Sequence, residues 1–199
     1  MMKFDYVHDI QRAYRKLIDC ISRPGTINSL GEESQKLDLP VECNKAMLVL
    51  ALMLLDTEVS FHVLGGESEI ISEKISQLTY SSAVPVDEAD FIFVLGDANS
   101  KELESAIRKC KIGDLVNPHL SATVIIEAEK ITNHKDLVLK GPGIKEENYI
   151  SILTDANWVA PRADKNIEYP LGIEMYFVDR EYNIAAFPRT TSIQGRGEN

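Results

Sequence analysis

The chain is short of basic charge, cysteine, paired histidine and long apolar runs. It carries 21 Lys and Arg against 31 Asp and Glu, a net charge of −10 over 199 residues. A field of that sign helps neither a general nucleic-acid surface nor an anionic membrane, so neither is expected as a partner. The longest apolar run, Ala46 to Leu55, falls short of the roughly 18 residues that a membrane span needs. The opening Met1-Met2-Lys3-Phe4-Asp5 has no apolar leader core, and a soluble, cytoplasmic protein is the expectation. Three cysteines, Cys20, Cys43 and Cys110, are odd in number and far apart, which reads as reduced core thiols in a reducing compartment. His8, His62, His119 and His134 have no ligand-pair spacing, and no metal site is expected. Phosphate-loop, dinucleotide and serine-hydrolase fingerprints are missing as well.

What remains is ordinary globular composition, 44% hydrophobic and 26% charged. One α/β domain over residues 1–194 is expected, with a flexible polar tail at 195–199. Apolar residues Ile10, Ala13, Tyr14, Leu17, Ile18 and Ile21 recur at helical spacing and predict an amphipathic helix from Asp5 to about Ser22, stopped by Pro24-Gly25. Asn44 to Leu55 predicts a helix buried nearly all round. Strands are predicted at Glu58 to Leu64, Asp90 to Leu95 and Ala122 to Ala128, with helices at Ser68 to Leu78 and Ser100 to Lys109. Leu137 to Lys140 reads as a further strand after a polar turn at Thr132 to Lys135. Ile173 to Val178 and Asn183 to Phe187 read as a hairpin around Asp179 to Tyr182, and Pro188 limits further pairing. The alternation implies a three-layer mixed sheet with helices on both faces.

Several short motifs have chemical readings beside plainer ones. Arg23 in Ser22-Arg23-Pro24-Gly25-Thr26 either presents a guanidinium to an anion or is a solvated side chain at a helix stop. Asp56 and Thr57 offer a carboxylate and a hydroxyl to a site, or satisfy local backbone amides. Gly141-Pro142-Gly143 follows a strand. It reads as a helix opening whose free amides hold a phosphate or phosphonate oxygen, or as a plain turn that Glu146 and Glu147 make unwelcoming to anions. Pro188-Arg189-Thr190-Thr191 combines a guanidinium fork with two small donors and suits a tetrahedral oxyanion, or is an edge-strand exit with a surface arginine. No general acid and base pair stands out.

In their order along the chain, these motifs resemble the PhnH family, the H subunit of the carbon-phosphorus lyase system. Further motifs carry the likeness: Val84-Pro85 before Ala89-Asp90-Phe91, Gly113 to Pro118 before Ser121-Ala122-Thr123, and Tyr169-Pro170-Leu171-Gly172-Ile173. The resemblance covers about residues 4–193. It implies a fold related to the large domain of pyridoxal-phosphate-dependent transferases, without the cofactor. It also implies a homodimer that assembles with the G, I and J subunits into a core complex. That complex, with the L subunit, joins a phosphonate to the ribose C1 of ATP and releases adenine, using MgATP; the J subunit then cleaves the carbon-phosphorus bond. The H subunit is thereby a required partner without an established catalytic residue, and no cofactor is expected on this chain. Two rival readings stand beside it. One is a transferase subunit whose Arg23, Asp56, Arg189 and Thr190 converge on substrate at a dimer interface; the other is a generic pyridoxal-phosphate enzyme. Lys140 is the only lysine beside a motif.

Overall fold

The structure, a computed structural model, describes residues 3–39 and 43–196. The chain opens with α1 (His8–Ser22), where Asp5 accepts from the backbone N–H groups of Val7 and His8 at 2.9 Å each, satisfying donors that the first turn leaves free. Next come β1 (Asn28–Ser29), a short α2 (Gly31–Lys36) and the apolar α3 (Lys45–Leu54). Asn44 caps α3 through its side-chain oxygen, which accepts from Ala46 N at 2.9 Å. Then follow β2 (Ser60–Leu64), α4 (Ser68–Thr79), β3 (Ser82–Ala83), β4 (Phe91–Val94), α5 (Ser100–Lys109) and β5 (Thr123–Glu127). Helix α5 starts at a reciprocal capping box between Asn99 and Glu102. The last third holds β6 (Lys130–Lys140), β7 (Asn148–Leu153), α6 (Val159–Lys165), β8 (Glu174–Val178), β9 (Asn183–Phe187) and β10 (Ser192–Gly195).

Seven strands form the main sheet in the order β1-β9-β8-β5-β4-β2-β3. The block from β3 to β8 is parallel, and β9 and β1 close it antiparallel. Strand residues alternate faces, as a period of two requires. Phe93, Ile125, Tyr176 and Ile184 join Leu17, Leu50, Ile71 and Ile75 from α1, α3 and α4 in one core. Ile92, Val124, Phe177 and Phe187 join Leu103 and Ile107 of α5, with Trp158, in a second core on the opposite face. Helices therefore cover both faces of a mixed sheet, and Thr123 to Ile126 are buried throughout, as a central parallel strand should be.

The single-sheet expectation needs correction. A separate antiparallel sheet, β10-β6-β7, supplies Ile131, Leu139, Ile150 and Ile193 to the second core. The predicted turn at Thr132 to Lys135 lies inside the 11-residue strand β6, whose pairing with β7 shifts register between Thr132 and Leu137. The extra residues of that irregularity are polar and exposed, which gave them the look of a turn. β9 ends at Phe187, directly before Pro188, and the chain then enters β10, which pairs Ser192 with Lys140 in the small sheet. Of the expected tail, Gly195 belongs to β10 and Arg196 N donates to Asp136 O at 2.8 Å; residues 197–199 lie outside the described residues. Two members of the predicted α1 core face, Tyr14 and Ile18, are exposed.

Candidate functional site

Two turns of the same design meet at one end of the molecule. Arg23-Pro24-Gly25-Thr26 closes with Thr26 N donating to Arg23 O at 3.0 Å, and Gly141-Pro142-Gly143-Ile144 closes with Ile144 N donating to Gly141 O at 3.2 Å. Each has Pro second and Gly third, with φ +92° at Gly25 and +81° at Gly143, the signature of a type II turn. A Cβ on Gly143 would run into the Ser22 carbonyl, and one on Gly141 would lie 2.7 Å from Thr190 O. The Asn148 side chain donates to Pro24 O at 3.0 Å and completes the contact. Three chain-distant motifs thus pack backbone to backbone. Gly141-Pro142-Gly143 joins β6 to β7 and opens no helix, so the helix-terminus anion cradle is absent there.

Arg189 sits at the edge where the parallel strands begin. Its Nε donates to Glu174 Oε1 at 2.8 Å, Nη1 to Pro118 O at 2.6 Å and Pro170 O at 3.1 Å, and Nη2 to Ser121 Oγ at 2.7 Å. Glu174 also accepts from the Arg189 backbone N–H at 3.0 Å. One side chain therefore fastens the starts of β5 and β8 and the two loops beside them. Most of its donors are committed within the chain, so the surface-arginine reading is corrected to an internal clamp.

Beside this clamp lies a cavity of about 320 Å³ whose wall includes Arg162, Arg189, Thr190, Thr191 and Ser192. Arg162, on α6, is 3% exposed. Its Nη1 donates to Thr191 O at 3.0 Å and its Nη2 to Pro188 O at 2.7 Å. Among the described residues its Nε has no hydrogen-bond partner, and neither has the buried Thr191 hydroxyl. Among the described residues no carboxylate forms an ion pair with Arg162. Burial draws its guanidinium down to about 10, against the pull of Glu174's charge, so it is a cation at neutral pH. Arg189, Thr190 and Thr191, which the sequence offers either to an oxyanion or to a plain edge-strand exit, line this cavity together with Arg162, which the sequence does not single out. The local signal is a basic residue directly after the apolar Trp158-Val159-Ala160-Pro161.

The remaining candidates lie apart from this cavity. Arg23 is exposed and paired with Asp19 one turn back on α1. Asp56 is exposed and accepts from Glu58 N at 2.8 Å within its own loop, with Thr57 exposed beside it. Lys140 is exposed, 3.9 Å from Glu147.

A larger crevice of about 600 Å³ opens across the other edge of the sheet, lined by Asn44, Glu67, Asp97, Glu127 and Arg180 among others. It spans the point where the chain leaves β2 for one face and β4 for the other, the usual ligand position in open α/β sheets. Its carboxylates are partly committed, since Asp97 accepts from Gly66 N at 3.0 Å and Glu127 from Gly96 N at 3.2 Å. Cys43 at its rim is pushed up to about 11 by burial and by the charge of Glu127, so it stays a thiol. Three carboxylates against one arginine make this crevice the poorer host for an anion. No group of three or more His, Cys, Asp and Glu side chains among the described residues is placed to hold a metal ion.

Residues 3–194 match the family described as "Bacterial phosphonate metabolism protein (PhnH)". A relative from Stutzerimonas stutzeri, named as C-P lyase subunit protein HtxG, is 30% identical over 192 residues, 94% of this chain and 87% of that protein. The "Alpha-D-ribose 1-methylphosphonate 5-triphosphate synthase subunit PhnH" of Rhizobium meliloti (strain 1021) is 27% identical over 198 residues, 96% of this chain and 92% of its own length.

Proposed function

Since the chain belongs to the PhnH family of bacterial phosphonate metabolism proteins, we propose that it is a subunit of a carbon-phosphorus lyase complex. In this reading it supports transfer of a phosphonate to the ribose C1 of ATP with release of adenine, without a complete active site of its own. The observation that carries the reading is end-to-end similarity to two relatives named as subunits of such systems. Its partners would be a second copy of itself and the G, I and J subunits, in the cytoplasm.

The surface supports an assembly role. Val7, Tyr14 and Ile18 are exposed along one stripe of α1, between 42% and 71%, and Leu115, Val116, Leu120, Ile167 and Tyr169 are exposed on the loops around the Arg189 clamp. Large apolar side chains gathered in this way mark interaction surfaces. The wide, largely parallel sheet supports reading the fold as a relative of the large domain of pyridoxal-phosphate-dependent transferases, used here without the cofactor. A transferase subunit in which Arg23, Asp56, Arg189 and Thr190 converge on substrate at a dimer interface is less well supported. Among the described residues neither Arg23 nor Asp56 lines the cavity beside Arg189.

Co-expression of this chain with tagged G, I and J subunits from the same host, followed by affinity capture and native mass spectrometry, tests the proposal. Recovery at fixed stoichiometry supports it. A folded chain that never enters the captured complex refutes it.

A further inference from the structure

A buried guanidinium without a carboxylate is an expensive arrangement. Removing a charged group from water is strongly unfavourable unless charge and hydrogen bonds replace the lost hydration. Arg162 has five N–H donors, and among the described residues only two backbone carbonyls accept from its guanidinium. The Thr191 hydroxyl, 2% exposed, is likewise unpartnered. Buried polar groups in folded proteins are rarely left this way, and two of them side by side in one cavity wall point to a missing acceptor.

The surroundings define what that acceptor is. Among the described residues two arginines and no Asp or Glu line the cavity, in a chain whose overall charge is −10. Arg189 is neutralised by Glu174 at 2.8 Å, so the uncompensated positive charge is that of Arg162. Thr190, Thr191 and Ser192 add three hydroxyls to the same wall, while Leu171, Ala163 and Ile193 add apolar surface. A planar guanidinium flanked by small hydroxyl donors matches an anion with several oxygens around one centre. The apolar part of the wall leaves room for a short carbon substituent on that centre. Its volume lies at the small end of the range for small-molecule sites.

We propose that this cavity binds a tetrahedral oxyanion of the phosphonate or phosphate class, held by Arg162 and the hydroxyls of Thr190, Thr191 and Ser192. The choice of a phosphonate over free phosphate rests on the family reading above; the oxyanion itself rests on Arg162 and Thr191. The site puts the anion at the edge where the parallel strands start, among the exposed apolar loops, where a partner subunit could close over it.

Isothermal titration of the full chain with methylphosphonate, inorganic phosphate and sulfate tests this. The expected result is saturable binding of at least one phosphorus oxyanion, with quenching or a shift in the emission of Trp158, the single tryptophan, whose carbonyl accepts from Arg162 N at 3.0 Å. Tighter methylphosphonate identifies the occupant as substrate-like, and tighter phosphate identifies it as the inorganic ion; both support an oxyanion site. Thr191→Val keeps the side-chain shape and both backbone hydrogen bonds. It is expected to weaken binding by about tenfold, as loss of one hydrogen bond to a charged group does, while leaving the melting temperature unchanged or higher. Arg162→Met is expected to abolish binding, and if it fails to fold, Thr191→Val still decides. Absence of saturable binding at about 10 mM ligand, or wild-type affinity in Thr191→Val, overturns the proposal. Neither outcome depends on capture of the other subunits, so the two readings fail separately.

Discussion

Arg162 donates to the carbonyl of Thr191 at 3.0 Å, while the hydroxyl of the same threonine, equally buried, has no partner among the described residues. The backbone of the Pro188-Arg189-Thr190-Thr191 turn is therefore held by α6 through Pro188 O and Thr191 O, without use of the Thr191 hydroxyl. The neighbouring Arg189 shows the opposite division. Its fork is spent on the chain itself, on Glu174, Pro118, Pro170 and Ser121. Two arginines at one corner thus have different duties, one holding the corner together and the other facing a cavity.

Arg189→Ala is expected to destabilise the isolated protein by about 3 kcal/mol, because it leaves Glu174 and a buried edge without their cation. Arg189→Lys is expected to recover little, since a single ammonium cannot reach acceptors in three directions. Urea denaturation with linear extrapolation measures both. Wild-type midpoints in both variants would show that the clamp is dispensable to the fold.

Gly143→Ala is expected to cost about 1–3 kcal/mol, from the positive φ and from collision with the Ser22 carbonyl. Thermal melting of this variant beside Gly96→Ala, where φ is not positive and the nearest atoms to the added carbon belong to the Glu127 side chain, is the check. The larger loss belongs to Gly143; equal losses would remove the packing of the two Pro-Gly turns as an explanation for these motifs.

Acid stability should report on Asp9. Its carboxylate is 1% exposed; burial alone would raise its pKa, but Lys36, the Asp5 amide and Arg12 outweigh burial and hold it below the ordinary value. A carboxyl lowered on folding contributes stability that is fully present above its unfolded pKa, near about 4, and is lost as pH falls through the folded value. Asp9→Asn should therefore be less stable than wild type at neutral pH, with the gap narrowing below about pH 4. A gap that stays constant down to about pH 2 would contradict the assignment.

What was legible in the sequence was local. The helical run Ser100 to Lys109, the all-apolar Val124-Ile125-Ile126, and the hairpin flanking Asp179 each carry their signal within a few residues, and the elements formed where the pattern put them. Of the small sheet, only the Leu137 to Lys140 end of β6 was legible. The middle of β6, Asn133 to Asp136, is polar and exposed, so no alternation marks it as strand, and its partners β7 and β10 are specified by pairing rather than by composition. Tyr14 and Ile18 were assigned to the core because periodicity detects an apolar face without saying whether this chain or another covers it.

The candidate site followed the same division. The Thr190 and Thr191 hydroxyls could be nominated from one tetrapeptide. The duty of Arg189 could not, because its acceptors come from residues 118, 121, 170 and 174. Arg162 was invisible for the same reason, as its two carbonyl acceptors lie 26 and 29 residues downstream.

The central claim, that this chain is a working subunit of phosphonate breakdown, is tested most directly by deleting its gene from its own host and supplying a phosphonate as sole phosphorus source. Growth should be lost on the phosphonate, kept on inorganic phosphate, and restored by the wild-type chain in trans. Undiminished growth of the deletion strain on the phosphonate would contradict the account.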